Sequence, residues 1–352
     1  GTDAPPRPSL VDASQRKHVL PGGGRSGELT AAGWAQARAL GEALRERYGA
    51  VSPDEVSART THVSRCVLTL RGVLLGLGLE TSRLPVDTRH ATEETMTPAT
   101  RRCPSLAAHW QSCRAALRTP ETGHASAPDP GGHFASLIAK VPADAKDAFG
   151  FPSTAVPLKD ALIALDSLNR AGGGGGALPW GVTEPELQAL DDRAAAEVAL
   201  LLGVDLGDGA DPDEILRLAA GPLVADVLAG LDAAARGAPR LRLLSGHDTT
   251  VKPFLVALDL YDRRWPPFCA CIIVELLRRK ADDALAVRIL YNGKTAATAS
   301  AAAGDFYVVL EPTPFAPFRA RLSELALADD AWRAACGAGA GRDSGGGDTF
   351  GP

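Results

Sequence analysis

Two side chains with acid–base chemistry, His247 and Asp248, lie next to each other in residues 243–251, which read LLSGHDTTV. Neighbouring side chains on a strand face opposite sides of the sheet, so two neighbours can act on one ligand only where the strand ends and the backbone turns. Ser245 and Gly246 before the pair, and two threonines after it, permit such a turn. We therefore expect His247 and Asp248 to lie at the end of a strand.

Arg59 is a second feature with chemical potential. It follows a short strand candidate at residues 55–58, and Thr60, Thr61 and the start of an apolar helix come after it. A guanidinium, short hydroxyl donors and the unpaired amides of a helix N-terminus together favour the binding of a phosphate group. An ordinary salt bridge is an equally common use of such an arginine. Two further arginines, Arg65 and Arg71, follow at six-residue steps. Side chains at this spacing cannot all share one helix face, so at least one of these two is expected to be structural.

Three interpretations of His247 and Asp248 compete. In the first, both ligate a divalent metal, but such sites need further ligands, and the nearest upstream histidine, His133, lies in a different predicted body. In the second, Asp248 caps the following helix and His247 is a satisfied core residue. In the third, His247 donates to a phosphate oxygen, Asp248 protonates the leaving alcohol, and Arg59 supplies a cationic donor to the phosphoryl group. Arg59 favours the third interpretation, which needs no metal.

The elements that must position these groups are predicted from hydrophobic periodicity. Residues 30–49 read as an amphipathic helix with Thr30 as its N-cap and Gly49 as its stop. The text from 90 to about 130 reads as irregular because prolines interrupt it. Further helices are predicted at about 63–79, 134–140, 160–169, 184–202, 213–234 and 251–258, and strands at 55–58, 241–245, 270–277 and 286–291, the last two as an antiparallel pair.

Composition argues against several classes of partner. With 45% hydrophobic and 22% charged residues in 352, the chain can bury one large core or two smaller ones. The net charge of −5 is widely spread, so neither nucleic acid nor an anionic membrane is the expected partner. No stretch reaches the roughly 18 uninterrupted apolar residues of a spanning helix, so no transmembrane segment is expected. The six cysteines are too sparse for a disulfide framework, and Cys269 and Cys271 are expected to be buried thiols.

Three segments, in the same order, carry a resemblance to a known family. They are GELTAAGWAQARALGEALRERYG at 27–49, RTTHVSRCVLTLRGVLLGL at 59–77 and LLSGHDTTVKPFLVALDLYDRRWPPF at 243–268. They resemble, respectively, the Leu-Thr-x-x-Gly helix, the Arg-Ser-Thr-x-x-x-Arg segment and the His-Asp segment of the histidine acid phosphatases. This family is branch 2 of the histidine phosphatase superfamily.

The resemblance implies a fold and a domain organisation. The fold would be α/β, with a three-layer core around a mainly parallel sheet, phosphoglycerate-mutase-like, and an inserted all-helical cap domain. Residues 1–29 would be a loop, 30–90 and 237–336 the discontinuous phosphatase core, 91–236 the helical insert, and 337–352 a disordered tail. The pentaglycine at 172–176 is expected to be a flexible loop within the insert.

The resemblance also implies an activity: a metal-independent acid phosphatase that acts through a phosphohistidine intermediate and uses no cofactor. Arg59 matches the family's phosphate-binding arginine, His247 its second phosphate-site histidine and Asp248 its proton donor. The run from GHD to DRRWPPF, and YNGK at 291–294, are most similar to members that act on lysophosphatidic acid. The implied substrate is a small phosphomonoester, with a lysophospholipid as one candidate.

The chain departs from the family at the nucleophile, which in the family sits in an Arg-His-Gly-x-Arg motif after the first strand. This motif is absent from the 352 residues, and the nearest candidate, His18, follows the polar text RPSLVDASQRK. Either the first strand and the nucleophile lie upstream of Gly1, which the absent start methionine favours, or this relative kept a phosphate pocket without turnover, as a scaffold or anion-binding protein. No role is assigned to the remaining histidines: His62, His90, His109, His124 and His133.

Overall fold

The computed structural model of the protein describes residues 27–80, 84–90, 93–118, 131–143, 159, 162, 178–204, 211–237, 239–293 and 305–337. Helices in these ranges are α1 (Ala31–Tyr48), α2 (Ser64–Gly76), α3 (Pro104–Arg118), α4 (His133–Lys140), α5 (Glu184–Leu201), α6 (Pro212–Ala235), α7 (Asp248–Ala257), α8 (Phe315–Leu325) and α9 (Asp329–Ala335). Strands are β1 (Val56–Thr60), β2 (Val86–Thr88), β3 (Leu241–Ser245), β4 (Ile272–Arg278), β5 (Leu285–Tyr291) and β6 (Tyr307–Pro314). Several predictions lie outside these ranges: the loop at 1–26, the glycine tract, most of the helix at 160–169 and the tail after 337, with His18 and His124.

Helix α1 begins and ends where the sequence predicts. The Thr30 hydroxyl accepts a hydrogen bond from the Gly33 amide at 3.0 Å, and Gly49 follows the last turn with a φ of 77°. Its apolar face packs against α2 at very close range, because a Cβ built on Gly41 would lie 2.1 Å from the backbone oxygen of Val73. Glycine at this position therefore lets the two helix backbones touch.

The six strands form two three-stranded sheets. In the first, with order β2-β1-β3, all neighbours are parallel, and in the second, with order β4-β5-β6, all neighbours are antiparallel. The predicted antiparallel pair, now β4 and β5, is confirmed. Helices α1 and α2 cover one face of these strands, and α6, α7 and α8 cover the other. The α/β fold class is confirmed.

Within the described part of the chain, each sheet has one edge that lacks a hydrogen-bonded neighbour strand and yet lies between helices. β3 pairs with β1 alone, and β4 pairs with β5 alone. Leu243 of β3 and Ile273 of β4 both pack in the cluster formed with α1 and α2, and Leu244 and Val274 both pack in the cluster formed with α6, α7 and α8. All four are half-buried, whereas Val56 of β1 is buried. The edges of β3 and β4 are therefore incompletely covered, as are the outer strands β2 and β6, where Val86 and Val308 are exposed.

Helix α6 runs through the centre of the molecule. In length and composition it could cross a membrane, as the core helices of globular proteins often could, and Leu223, Val224 and Leu228 are buried against the second sheet and α7. Pro222 lies inside it and has no amide hydrogen, so the Leu218 carbonyl loses its helical donor. The Trp332 indole of α9 donates to that carbonyl instead, at 2.9 Å. The predicted helical insert, residues 91–236, includes α6. The boundary between this insert and the phosphatase core stays a prediction.

A smaller helical cluster lies within the proposed insert. Leu137 of α4 and Leu190 of α5 are completely buried against each other and Leu162. The Lys140 ammonium of α4 pairs with Glu186 of α5 at 2.7 Å, which joins the two helices at the rim of the cluster. Trp265, from the loop after α7, packs against the same cluster and so connects the insert to the segment that carries His247 and Asp248.

One disulfide joins elements that the sequence did not connect. Cys103, before α3, is bonded to Cys336, after α9, across 233 residues, and both are completely buried. The sparse cysteines did not predict this pair, because its members meet only when α3 and α9 pack together. Cys269 and Cys271 carry free thiols and are half-buried.

The prediction of irregular structure from 90 to 130 is wrong for α3. Pro104 is the first residue of this helix, where a missing amide hydrogen does no harm, so proline marks its start and does not break it. The strands β2 and β6 and the helices α8 and α9 were also not predicted.

Candidate active site

The candidate site forms at the carboxyl ends of β1 and β3. These parallel strands pair in register up to Thr60 and Ser245, and the Thr61 amide donates to the Ser245 carbonyl at 3.1 Å. Both strands then turn into helices, so the N-termini of α2 and α7 open at the same edge of the sheet. Helix N-termini at the carboxyl edge of a parallel sheet favour the binding of an anion. His247 and Asp248 lie at this edge, as the sequence predicts.

His247 is the N-cap residue of α7 and is held on both ring nitrogens. Its Nε2 lies 3.0 Å from the Thr61 hydroxyl and its Nδ1 lies 3.1 Å from Nη2 of Arg65. A guanidinium can only donate, so Nδ1 must accept and the ring proton of a neutral imidazole sits on Nε2. The backbone amide of His247 donates to the Thr250 hydroxyl at 2.9 Å, which fixes the turn.

The surroundings of His247 favour its neutral form. Burial lowers the pKa of the imidazole, the Arg65 charge lowers it further, and together they outweigh Asp248, so the pKa is about 4. His247 is therefore a neutral hydrogen-bond donor through Nε2 at the pH of most compartments.

This pKa has a consequence for stability. Between pH 4 and pH 6.5 the unfolded chain binds a proton on His247 that the folded protein does not bind, so stability rises with pH in this window. The contribution is about 3 kcal/mol at most, fully present above pH 6.5 and lost as the pH falls through 4. Urea unfolding at several pH values should show that His247→Gln removes this component. The same change at His62, which is exposed, serves as the control, and equal pH dependence in all three proteins would contradict the assignment.

Asp248 is the first residue of α7, and both of its carboxylate oxygens have partners. Oδ1 accepts from the Thr249 amide at 2.8 Å, and Oδ2 lies 3.4 Å from the Lys252 ammonium, while 32% of the side chain stays exposed. Burial by itself would raise the pKa of this carboxyl group, but Lys252, the Thr249 amide and His247 lower it, and the net pKa is lowered. A partly exposed carboxyl group beside a histidine can exchange a proton with a bound ligand.

Arg59 is buried and forms ion pairs on the α6 side of β1. Its guanidinium donates to Glu94 at 2.6 Å, to Asp226 at 3.0 Å and to the Thr95 hydroxyl at 3.1 Å. Asp226 also pairs with Arg242 at 2.9 Å. In the part of the chain that the structure describes, the buried Nε of Arg59 has no hydrogen-bond partner. Arg59 is aligned in the sheet with Leu244, three residues before His247, and its sharing of one anion with His247 stays a prediction.

Two neighbours of His247 were missed by the sequence argument. The sequence argument held that the arginines cannot all share one helix face and did not decide between Arg65 and Arg71, but Arg59 lies on a strand, so helical spacing does not separate it from Arg65. Its position in the first turn of a helix that starts beside a candidate site was the available signal. The Cys66 thiol donates to the Gly246 carbonyl at 3.0 Å, and burial raises its pKa, so it supports the turn as a neutral group.

The other histidines lie apart from this arrangement. His62 and His90 are exposed, and Nε2 of His109 lies 3.3 Å from the Leu200 carbonyl in the α3–α5 region. Over the ranges that the structure describes, no group of three or more histidine, cysteine or acidic side chains could hold a metal ion. The metal interpretation therefore has no set of ligands there.

His247, Asp248 and Arg65 lie together at the carboxyl edge of a parallel sheet, where two helices begin. Such an arrangement is typical of enzymes that bind phosphate groups. Residues 206–292 match the family model described as Histidine phosphatase superfamily (branch 2). Residues 206–292, which contain the predicted His-Asp segment at 243–268, therefore carry a histidine phosphatase branch 2 domain.

Relatives and solved structures agree with this assignment. The chain is 29% identical over 308 residues to lysophosphatidic acid phosphatase type 6 of Pongo abelii, covering 82% of this chain and 66% of that protein. It is 32% identical over 273 residues to a probable acid phosphatase of Schizosaccharomyces pombe, covering 71% of this chain and 55% of that protein. A phytase structure from Klebsiella sp. shares the fold, with a TM-score of 0.59 at 14% identity and coverage of 91% and 89%. The chain thus spans slightly less than two thirds of the length of the first relative.

Proposed function

We propose that the protein is a metal-independent acid phosphatase that hydrolyses small phosphomonoesters. The observation that carries this proposal is the neutral His247, whose Nε2–H lies at the meeting point of two helix N-termini with Asp248 directly beside it. Uncharged donors and positive helix ends stabilise the spread charge of a transferring phosphoryl group. The curated relatives named above as phosphatases support the same activity.

We assign a role to each site residue. His247 donates to a phosphate oxygen from Nε2, and Asp248, when protonated, gives its proton to the oxygen of the departing alcohol. Arg59 binds the phosphate through its guanidinium, whose Nε–H is the donor without a described partner. Arg65 also belongs to this set. Its guanidinium already holds the His247 ring, and because the neutral Nδ1 carries no negative charge, the positive charge of Arg65 can attract a phosphate.

The reaction needs a nucleophile that His247 does not provide in this scheme. In the phosphohistidine mechanism, a second histidine attacks phosphorus as the ester P–O bond breaks and Asp248 protonates the leaving oxygen. Water then attacks the phosphohistidine, the P–N bond breaks, and Asp248 takes up the proton that water loses. His18 lies outside the described residues, and the Arg-His-Gly-x-Arg motif does not occur in the sequence.

We propose that the strand bearing this nucleophile belongs between β3 and β4. Among the described residues no strand pairs with these two edges, which lie between the same helix layers and whose apolar side chains are half-buried, as the edges of a sheet that accepts a central strand would be. Such a strand would end beside Ser245, and its next residues would face His247. Without it, the 352 residues are expected to have little or no turnover. We likewise propose 30–90 and 237–336 as the phosphatase core and 91–236 as the insert.

The substrate class that we propose is a small phosphomonoester, with lysophosphatidic acid as the first candidate. The relative from Pongo abelii carries that substrate in its name.

A second function is a phosphatase fold without turnover that serves as a scaffold or anion-binding protein. The missing nucleophile motif favours it. The reading frame upstream of Gly1 distinguishes the two functions, because the phosphatase requires that it encode an apolar strand followed by Arg-His-Gly-x-Arg.

Titration calorimetry with inorganic phosphate, together with a phosphomonoester assay, tests the proposal. The 352-residue chain should bind phosphate without turnover, and His247→Ala should weaken binding about tenfold or more, since a hydrogen bond to a charged group is lost. The matched control is His62→Ala at an exposed position, with unchanged affinity expected.

Fusion of the first strand and nucleophile segment of the Pongo abelii relative to the N-terminus should then produce turnover. Phosphate binding without any gain of turnover in the fusion would favour the scaffold. Robust turnover of the unfused chain that His18→Ala abolishes would overturn the proposal that the 352 residues lack the nucleophile.

A further inference from the structure

Lys252 is a lysine where an apolar residue is expected. It lies one helical turn after Asp248 on α7, with 0% of its side chain exposed, and its neighbours Pro253, Phe254 and Leu255 are buried core residues. Lysine is among the residues that are almost never fully buried unless they are paired. Burial of its ammonium needs compensation of several kcal/mol, so its partners are informative.

An acidic group and an aromatic ring are among the partners that compensate the Lys252 ammonium. Its Nζ lies 3.4 Å from Oδ2 of Asp248 and 3.2 Å from the centre of the Trp265 ring. A cation over an indole face is attracted by the negative face of the ring, and this attraction is largest where water is excluded. Lys252 therefore bridges the site carboxylate and the aromatic residue that packs on the insert.

The same indole contacts a second buried ammonium. Nζ of Lys159 lies 4.7 Å from the Trp265 ring centre and 3.3 Å from Asp191 of α5. The insert thus contributes a positive charge and its own carboxylate to the surroundings of Lys252. Trp265 is held between these groups and the apolar cluster of the insert. Because its indole is fixed in this way, it restrains the ammonium end of the Lys252 side chain.

Lys252 fixes one of the two oxygens of the Asp248 carboxylate. The Thr249 amide holds Oδ1, so the plane of the carboxylate is set by one backbone group and one ammonium. Around it lie His247 from its own segment, Arg65 and Cys66 from α2, and Lys159 beyond Trp265. Among these, Lys252 is the cation that contacts the carboxylate directly.

We propose that Lys252 is a positioning residue, which orients the Asp248 carboxylate and sets the pH range over which Asp248 carries a proton. The contact does not depend on the proposed function, whereas its meaning for catalysis rests on Asp248 acting as the proton donor. A group of opposite charge at this distance favours the ionised carboxylate. Removal of Lys252 should make Asp248 hold its proton to higher pH.

Carboxyl carbon NMR of the 352-residue chain, labelled in aspartate, tests this proposal without substrate. The signal that disappears in Asp248→Asn identifies the residue, and its titration gives the pKa. In Lys252→Met, which keeps an unbranched side chain one atom shorter and removes the charge, the pKa of Asp248 should rise by about one unit or more. Lys252→Gln is the second variant should the methionine protein not fold, and Lys252→Arg, which retains the charge, should restore most of the lower value.

Lys140→Met is the matched control, because Lys140 is also an ion-paired lysine but pairs with Glu186 in the insert. It should leave the Asp248 titration unchanged. An Asp248 signal that titrates at the same pH in the folded Lys252→Met and Lys252→Gln variants as in the parent would overturn the proposal. Failure of the proposed function would appear separately, as loss of phosphate binding or turnover with the Asp248 shift intact.

Discussion

Replacement of Arg59 by methionine should lower the free energy of unfolding by about 3–5 kcal/mol, measured by urea denaturation near neutral pH. Arg59 is 4% exposed and neutralises two acidic groups, Glu94 at 2.6 Å and Asp226 at 3.0 Å. Glu94 is itself buried and accepts from the Met96 amide at 2.7 Å, so it cannot turn to solvent without breaking the loop before α3. Removal of the guanidinium leaves a buried carboxylate without its cation, which is among the costly single changes.

Two further variants make this prediction specific. Arg71→Met, at an exposed position of α2, should change stability by no more than about 0.5 kcal/mol. Arg59→Met combined with Glu94→Met should recover part of the loss, because an apolar pair replaces the ion pair without stranding a charge. An Arg59→Met protein within about 1 kcal/mol of the parent would mean that the ion pairs of Arg59 are not what stabilises this region.

In the fusion protein that carries a nucleophile strand, Asp248→Asn should lower kcat by about 10²–10⁴-fold. The amide keeps the shape of the carboxyl group and can still accept from the Thr249 amide, but it has no acidic proton to give the leaving alcohol. The loss should be large for alkyl phosphates, whose alkoxide leaves poorly, and small for an aryl phosphate, whose phenolate leaves without a proton. This dependence on the leaving group separates proton donation from a purely structural effect.

Asp259→Asn provides the comparison. Asp259 lies two residues after the end of the same helix, its side chain is 90% exposed, and its left-handed φ of 61° suits asparagine equally well. It should keep full activity on both classes of substrate. Equal losses on alkyl and aryl phosphates in Asp248→Asn would contradict the role of proton donor.

The substitutions Arg59→Met and Asp248→Asn both test the carboxyl edge of the parallel sheet, and each removes contacts to a different set of helices. Arg59 connects β1 to α6 and to the loop before α3, while Asp248 connects β3 to α7 and, through Lys252 and Trp265, to the cluster of α4 and α5. The site therefore depends on the packing of α6 as well as on that of the α4–α5 cluster. A change in α4 or α5 near Trp265 can alter the surroundings of Asp248 without changing the strand ends.

Much of the local structure was determined by the sequence alone. The bounds of β3 are those predicted, and Thr30 and Gly49 delimit α1, because periodicity and capping act within a few residues of each other. His247 and Asp248 had to lie at the end of a strand, since neighbouring side chains on a strand diverge. The family was predictable from the same short segments.

Only the tertiary structure decided how distant groups meet. Arg65 touches His247 because α2 packs beside the end of β3, and Cys103 meets Cys336 because α3 packs near α9. Lys252 contacts Trp265 because the loop after α7 packs against this helix, and Arg59 pairs with Asp226 because α6 packs beside β1. Local sequence sets hydrogen bonding and periodicity over a few residues, whereas the partner of a charge is chosen by packing across the whole chain.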